Sequence, residues 1–158
     1  MVTTGLGYDC HQFAAGRRLV LGGVEIPHEL GLQGHSDADV LTHAVIDALL
    51  GAAGLGDIGQ HFPDTDPRYK DVDSLVLLRD TLALLVSAGC RAVHVDATVI
   101  LERPKLAEHR DKIRSRLADA LSLDAAHVNV KATRGEGMGF VGRQEGAAAL
   151  AVATIERQ

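Results

Sequence analysis

Segments with strand-like and helix-like apolar patterns alternate along the whole chain, and no linker, repeat or low-complexity stretch separates them. Strands and helices mixed in this way favour a layered fold in which helices cover a sheet. We predict strands at 5–13, 18–21, 24–26, 91–101 and 128–133 and helices at about 36–51, 73–88 and 106–121, while the segment from 147 to about 155 fits either type. The expected fold class is α/β (α+β): a ferredoxin-like, single-domain sandwich with helices on one face of a mostly four-stranded mixed sheet. With 158 residues, the chain has the size of one domain, residues 1–158.

Charge and composition exclude some classes of function. The net charge of −5 argues against nucleic acid as the main partner, because a phosphate backbone requires a basic surface. The most apolar stretch, 44–55, contains Asp47 and is too short to span a bilayer. Cys10 and Cys90 are expected in the core and suggest no disulfide framework. No secretory signal pattern stands at the start of the sequence. A reducing cytoplasm is therefore the expected compartment.

Asp9 and His11 form the first pair with a chemical pattern. They lie two positions apart on a predicted strand, so their side chains leave the same face while Cys10 points away. A carboxylate and an imidazole side by side supply two ligands of a zinc or manganese site. They also occur as an ordinary hydrogen-bonded pair, and this spacing alone favours that simpler interpretation.

His43 shifts the balance toward a metal site. It lies one helical turn after Asp39 and one turn before Asp47, so three polar side chains share a face of an otherwise apolar helix. Such a stripe lowers stability unless a site uses it. We expect His43 to complete a three-ligand site with Asp9 and His11, leaving a fourth position for water or a phosphate oxygen, and Asp39 or Asp47 to accept its other ring N–H. The alternative is a solvated helix face with an incidental histidine.

The segment before this helix has the features of an anion site. Ser36 is the predicted N-cap, and the free backbone N–H groups at a helix start attract anionic oxygens. Ser36 can equally be only a cap. His35 can donate to a phosphate or simply lie on the surface.

Three polar loops add further candidates. The loop 62–67 holds two carboxylates between prolines, which suits either the binding of a polyol or a solvated turn. Arg134 and Glu136 follow a strand, and Glu136 could bind a hard cation such as Mg²⁺. Arg143 and Glu145 form either a phosphate clamp or an exposed ion pair.

Five segments together carry a resemblance to a known family. They are GLGYDCHQF (5–13), GHSDADVLTHAVIDALLGAAGLGDIGQHFPDTDP (34–67), RPKL (103–106), VNVKATRGEGMGF (128–140) and VGRQEG (141–146). In this order, over nearly the whole chain, they resemble the 2-C-methyl-D-erythritol 2,4-cyclodiphosphate synthases. The resemblance implies a metal-dependent phosphorus–oxygen lyase of non-mevalonate isoprenoid synthesis. It would convert 4-diphosphocytidyl-2-C-methyl-D-erythritol 2-phosphate to the cyclic diphosphate and CMP.

The resemblance also implies two metals. It makes Asp9, His11 and His43 the ligands of a divalent metal, usually zinc, in agreement with the site expected from spacing. Glu136 would hold a second metal, Mg²⁺ or Mn²⁺, between the two substrate phosphates.

The substrate contacts are implied by the same resemblance. His35 and Ser36 would bind a phosphate, and His35 would help to stabilise the transition state. The erythritol part would contact Asp57, Ile58, Gly59, Phe62, Pro63, Asp64, Thr65 and Asp66, and the cytidine and phosphates would contact Pro104, Lys105, Leu106, Ala132 and Thr133. Asp9 and His11 would also contact the substrate.

Members of the resembled family form homotrimers, with active sites between neighbouring subunits and a hydrophobic cavity at the centre. Phe140, Arg143 and Glu145 match residues at one end of that cavity, where an isoprenoid diphosphate or another anion would bind. One position departs from the family. Arg134 stands where the middle of three threonines, taken to stabilise the transition state, is usual. It could contact phosphate itself or turn to solvent.

Two other classes of function remain open. A nucleotide-binding or isoprenoid-phosphate-binding protein that has lost catalysis would be compatible with Arg134, although the other site residues argue against it. A zinc hydrolase acting on nucleotides would require a general base beside the metal-bound water, and Asp39 or Asp47 could serve.

Overall fold

The computed structural model describes residues 1–158 and contains a mixed five-stranded sheet. Its strands are β1 (Val2–Ala14), β4 (Gly31–Leu32), β5 (Cys90–Ile100), β6 (Val128–Thr133) and β7 (Gly146–Arg157), while β2 (Leu19–Leu21) and β3 (Val24–Ile26) form a separate hairpin. The sheet order is β4-β1-β7-β5-β6. Only β5 and β6 run parallel, and the other neighbours are antiparallel.

Three long helices cover one face of this sheet. The helices are α1 (Val40–Ala53), α2 (Ile58–His61), α3 (Ser74–Ser87), α4 (Arg110–Leu121) and α5 (Gly139–Gly142), with 3-10 turns at Pro67–Tyr69 and Ala125–His127. Helix α1 packs on β1 and β7, α3 packs on α1 and β5, and α4 packs on β6. Between them lies one core built mainly from Ala, Val, Leu and Ile. None of the helices is long and apolar enough to cross a membrane.

Two glycines set the distance between α1 and β1. A Cβ at Gly7 would lie 1.9 Å from the carbonyl oxygen of Ala44, and one at Gly5 would lie 2.1 Å from that of Ala48. Both neighbouring atoms belong to the helix backbone, which cannot rotate away as a side chain can. The helix therefore approaches β1 as closely as two backbones allow, and this brings residues of α1 against the Asp9–His11 face of the strand.

Asp39, and not Ser36, is the N-cap of α1, so that prediction was wrong. The Asp39 carboxylate is fully buried and accepts hydrogen bonds from the backbone N–H groups of Gly22, Gly23 and Thr42 and from the Thr42 hydroxyl. One buried carboxylate thus starts the helix and ties the β2–β3 hairpin to it. Four donors satisfy a charge that would otherwise be costly to bury.

The predicted mixed α/β sandwich with helices on one face is confirmed, with corrections of detail. The two-residue strand β4 makes the sheet five-stranded, and the long elements follow the order β-α-α-β-α-β-β, whereas a ferredoxin-like chain follows β-α-β-β-α-β. The ambiguous final segment is strand β7, which lies between β1 and β5. Helix α4 begins at Arg110, and not near 106.

Cys90 is buried as expected, but Cys10 is exposed, because even-numbered positions of β1 face away from the helices.

The second face of the sheet is uncovered and partly apolar. Leu6 pairs with Val152 and Tyr8 pairs with Leu150, and these four side chains are 38–67% exposed. Monomeric proteins rarely leave a contiguous apolar patch of this kind in water. We call this group of four residues the open apolar face.

We predict that Gly7→Ala lowers the free energy of unfolding by about 3 kcal/mol or more, because the added methyl group overlaps the α1 backbone. Gly51→Ala is the matched control. Its added methyl group meets nothing within 4 Å, and alanine in a helix should raise stability by about 0.5–1 kcal/mol. Urea denaturation at equal protein concentrations measures both changes, and equal stabilities of the two variants would contradict the close-approach argument.

Candidate active site

Asp9, His11 and His43 meet at the junction of β1 and α1, as predicted. His11 Nε2 lies 2.9 Å from Asp9 Oδ2, His43 Nδ1 lies 3.1 Å from the same oxygen, and the two ring nitrogens are 3.3 Å apart. The structure contains no other group of three or more His, Cys, Asp or Glu side chains arranged to hold a metal ion.

The triangle formed by these three atoms has the size that a small cation requires. A point about 1.8 Å from each atom lies at its centre, so ligand distances of about 2.0–2.1 Å would place a zinc-sized ion just outside the plane. A fourth coordination position would then remain open on the outer side. The donor set of two nitrogens and one oxygen suits zinc and other divalent transition metals.

The outer nitrogen of each histidine is anchored, which fixes the nitrogen that faces the triangle. His11 Nδ1 lies 2.9 Å from the carbonyl oxygen of Gln33, which can only accept, so Nδ1 carries the proton and Nε2 is free to bind a cation. His43 Nε2 lies 2.8 Å from the hydroxyl of Ser74. That hydroxyl donates to Asp37, which also accepts the Ser74 backbone N–H at 2.9 Å. The chain from Asp37 through Ser74 therefore orients His43 with Nδ1 toward Asp9.

The expectation that Asp39 or Asp47 would bind the outer N–H of His43 was wrong. Asp39 is fully engaged as the helix cap, and the Asp47 carboxylate accepts the backbone N–H of Ile58 at 2.8 Å. Asp47 thereby anchors the start of α2 beside the site. The partner of His43 Nε2 is Ser74, which lies 31 residues further along the chain, and no spacing rule connects the two.

Electrostatics within the triangle favour a bound cation. Burial alone would raise the pKa of Asp9, but when a proton occupies the triangle the hydrogen bonds and charge of His11 and His43 outweigh burial and lower this pKa to about 2. Burial opposes the charged form of His11, yet the hydrogen bond and negative charge of Asp9 outweigh it and raise the pKa of His11. A proton and a metal ion therefore compete for the same position between Asp9 and His11.

A cavity of about 420 Å³ opens beside the triangle. Of the residues expected to bind substrate, it is lined by Asp9, His11, His35, Ser36, Ile58, Gly59, Phe62, Pro63 and Asp64. Gly34, His43 and Asp47 also line it, as do Tyr69 and Leu77, which the sequence did not suggest. Asp57, Thr65 and Asp66 do not line it. Asp57 caps α2, and Asp66 caps the following 3-10 turn and binds Arg68.

His35 and Ser36 lie in a loop between β4 and α1, and not on the first turn of the helix. The Ser36 hydroxyl is 3.2 Å from His43 Nε2, and His35 Nε2 donates to the carbonyl oxygen of Asp66 at 2.9 Å. The loop therefore connects the candidate metal centre with the 62–66 segment across the cavity.

The remaining predicted ligands lie elsewhere on the chain. Pro104, Lys105 and Arg134 line a second cavity of about 510 Å³, while Leu106 is buried and Ala132 and Thr133 are exposed on β6. Phe140 lines a third cavity, and Arg143 pairs with Glu145 beside it.

Glu136 does not join the three metal ligands. Its carboxylate is exposed and accepts from Arg134 at 3.3 Å. One chain therefore assembles the first predicted metal site but separates it from the predicted second metal ligand and from the predicted cytidine pocket.

Residues 2–156 match the model of the YgbB family. The chain is 58% identical over 153 residues to the 2-C-methyl-D-erythritol 2,4-cyclodiphosphate synthase of Syntrophomonas wolfei, with 97% of this chain and 98% of that protein covered. It is 60% identical over 156 residues to the bifunctional enzyme IspD/IspF of Anaeromyxobacter dehalogenans; the match covers 99% of this chain but only 40% of that longer relative. A solved 2C-methyl-D-erythritol-2,4-cyclodiphosphate synthase described as a CDP-bound form superposes with a TM-score of 0.89 at 37% identity, covering 97% of this chain and 99% of that one.

We predict that His43→Ala abolishes stoichiometric binding of zinc, and that Ser74→Ala weakens it by about 10–100-fold because the anchoring hydroxyl is lost. His127→Ala is the matched control, since His127 is exposed on a 3-10 turn far along the chain. Titration calorimetry and metal analysis of purified protein measure the effect. Equal zinc binding by His43→Ala and His127→Ala would rule out the site.

Proposed function

The chain belongs to the YgbB family, and on that basis we propose that residues 1–158 form a single catalytic domain acting on a cytidine diphosphate derivative of methylerythritol phosphate. It converts 4-diphosphocytidyl-2-C-methyl-D-erythritol 2-phosphate to 2-C-methyl-D-erythritol 2,4-cyclodiphosphate and CMP, as its curated relatives in isoprenoid synthesis do. The observation that carries the proposal is the convergence of Asp9, His11 and His43 at the edge of a cavity that can receive a phosphate.

Zinc is the proposed ion at Asp9, His11 and His43, and Mg²⁺ or Mn²⁺ is the proposed ion at Glu136. The nitrogen-containing ligand set suits zinc, whereas a lone exposed carboxylate that shares the ion with phosphate oxygens suits a hard cation. When bound, the two ions would neutralise negative charge on the substrate diphosphate. A cation at Glu136 would compete with Arg134, which donates to one oxygen of this carboxylate.

The reaction is a phosphoryl transfer within one molecule. An oxygen of the 2-phosphate attacks the β-phosphorus, the bond from that phosphorus to the α–β bridging oxygen breaks, and CMP leaves with the bridging oxygen. Both reacting groups are anions, so repulsion and the entropy of ring closure form the main barrier. Holding the two groups in line can contribute about 7–11 kcal/mol, and little proton transfer by the protein is required.

The chain's own residues provide this positioning. His35 and Ser36 bind a phosphate at one side of the cavity, and His35 supports the transition state. The walls formed by Ile58, Gly59 and 62–64 hold the erythritol part, and Asp57 and Asp66 support them by capping α2 and the following 3-10 turn. Pro104, Lys105, Leu106, Ala132 and Thr133 hold the cytidine and its phosphates.

Arg134 takes over, in this proposal, the role of the threonine that the resembled family usually has. Its guanidinium is half exposed and belongs to the same cavity as Lys105. When Glu136 binds its cation, Arg134 loses its partner and is free to donate two hydrogen bonds to a phosphate.

A zinc hydrolase fits the site less well. That reaction requires a carboxylate that is free to take a proton from a metal-bound water. Asp39 is fully buried with four donors on it, and Asp47 is engaged with the Ile58 N–H. Neither carboxylate forms a hydrogen bond or ion pair with Asp9, His11 or His43, and Asp47, although it lines the same cavity, has its Oδ1 on the Ile58 N–H.

A homotrimer with active sites between subunits is the proposed assembly. Asp9, Ala149, Val99 and Ala132 lie in one row across four strands, so about 14 Å separates the metal centre from the cytidine-binding strand β6 within one chain. The open apolar face requires cover, and a second copy of the chain can supply both the cover and the missing half of the site. Arg143 and Phe140 would then lie at an end of the central cavity, where an isoprenoid diphosphate binds. The proposed compartment is the cytoplasm.

Purified protein incubated with the cytidine diphosphate substrate, zinc and Mg²⁺ should release CMP and cyclic diphosphate in equal amounts. We expect His43→Ala to lose nearly all turnover, and Arg134→Thr, which restores the usual residue, to stay within about tenfold of the unchanged chain because Thr can also donate to phosphate. Phosphorus NMR distinguishes the products. Release of a linear monophosphate would favour a hydrolase, and binding without turnover would favour a non-catalytic protein.

Mixing two inactive variants tests the shared site. If His43 and Lys105 of one site come from different subunits, mixed trimers of His43→Ala and Lys105→Ala should recover about a quarter of full activity, since one site in four would be intact. Co-purification through two affinity tags verifies that mixed oligomers form. No recovery in verified mixtures would place both residues in the same chain's site.

A further inference from the structure

The loop that carries His35 and Ser36 is held from behind by one arginine. Arg17, in the turn after β1, donates from Nε to the carbonyl oxygen of Leu32 at 3.1 Å. Its Nη2 atom donates to the carbonyl oxygens of Gly34 at 3.3 Å and Ser36 at 2.9 Å. A single guanidinium therefore binds three of the five carbonyl groups between positions 32 and 36.

Arg17 lies on the opposite side of this loop from the substrate cavity. The active-site cavity is lined by Gly34, His35 and Ser36 but not by Arg17. Arg17 instead lines a smaller cavity of about 220 Å³ with Asp71, whose carboxylate lies 3.7 Å from Nη1. Asp71 also donates its backbone N–H to the carbonyl oxygen of His35 at 2.9 Å. Arg17 and Asp71 together hold three consecutive carbonyl groups, those of residues 34, 35 and 36.

Because each peptide unit is planar, fixing a carbonyl group also fixes the direction of the N–H group of the next residue. The only cis peptide bond in the chain is Arg103–Pro104, so the peptides of this loop are trans and each N–H points opposite to the carbonyl that precedes it. Holding the Gly34 carbonyl toward Arg17 therefore turns the His35 N–H away from Arg17. Holding the His35 carbonyl toward the Asp71 N–H likewise turns the Ser36 N–H away from Asp71.

These N–H groups have nothing to bind within the chain. The backbone N–H groups of Gly34, His35 and Ser36 donate to no acceptor, whereas the flanking Gln33 and Asp37 donate to Gln12 and Val72. The His35 ring cannot replace them easily, because its Nε2–H is already engaged with Asp66. A run of three free N–H groups beside a metal-binding triangle is suited to an anionic oxygen.

We propose that Arg17 is a positioning residue: its guanidinium, together with the Asp71 N–H, fixes the Gly34–His35–Ser36 backbone so that the N–H groups of His35 and Ser36 face the phosphate that is attacked. This inference rests on the proposed function for the identity of the anion. Arg17 itself touches neither the substrate nor the three metal ligands. Its effect should therefore fall on the rate of the chemical step more than on the binding of metal or substrate.

The planar guanidinium group of arginine is required to bind these three carbonyl groups at once. Three carbonyl groups at 2.9–3.3 Å from two nitrogen atoms cannot be matched by a lysine, which carries its donors on one point. The neighbouring Arg18 is 73% exposed, against 29% for Arg17, and pairs only with Glu25. Adjacent arginines thus provide a test residue and a matched control.

The test compares Arg17→Met, Arg17→Lys and Arg18→Met as zinc-loaded, full-length proteins. We expect Arg17→Met to lower kcat by about 10–100-fold while KM for the cytidine diphosphate substrate and the zinc content change less than about threefold. Arg17→Lys should recover only a minor part of kcat. Arg18→Met should match the unchanged chain.

Three outcomes would overturn the proposal. They are an unchanged kcat in Arg17→Met, a loss of kcat that follows a loss of zinc or folded protein, and full recovery by Arg17→Lys, which would mean that charge alone is needed. Hydrogen exchange of the 32–38 segment gives a readout that does not depend on turnover. We expect faster exchange in Arg17→Met than in Arg18→Met, and equal exchange would also overturn the inference. If the unchanged chain shows no turnover but exchange differs as expected, the proposed function fails and the positioning role of Arg17 stands.

Discussion

The close approach of α1 to β1 is the constraint on which the rest of the structure depends. Gly5 and Gly7 lack the side chains that would hold the helix away, so the backbone of α1 rests almost directly on the strand. His43, on the contacting face of α1, then reaches Asp9 and His11, which leave β1 two and four residues beyond Gly7. A larger separation of the two elements would leave two ligands on the strand and the third out of reach.

The candidate metal centre depends equally on groups that never touch the ion. Three acceptor atoms meet within 3.3 Å, an arrangement that is unfavourable unless a proton or a cation lies between them. Gln33 and Ser74 fix the histidine rings from behind, and Arg17 fixes the loop beside them. Each of these supports comes from a different part of the chain, so β1, the 32–36 loop, α1 and α3 must all be in place before the site exists.

Local periodicity in the sequence predicts which side chains share a face of a strand or helix. It does not predict contacts between residues that are far apart in the chain. His43, Asp9 and His11 were found because strand alternation and helix spacing indicate which side chains share a face. Asp39 was misassigned for the same reason. The spacing that places it one turn before His43 holds only inside a helix, and Asp39 lies at the cap. Ser74 and Arg17 act through contacts that no spacing rule describes. The small residues of β7 were ambiguous because alanine-rich segments fit helix and strand alike, and only the neighbouring strands decide between them.

Because of the way the site is assembled, the supply of metal would affect how much folded protein a cell retains. The three ligands and their supports lie on separate elements, so an ion that binds there binds the folded form and has little affinity for the unfolded one. By mass action, free ion at about 100 times its dissociation constant would add about 2.7 kcal/mol to the free energy of unfolding. In a metal-starved cell the unfolded fraction would rise by a corresponding factor of about 100, and proteases would remove more of the protein. Scarcity of the ion would then reduce the amount of enzyme as well as the activity of each molecule.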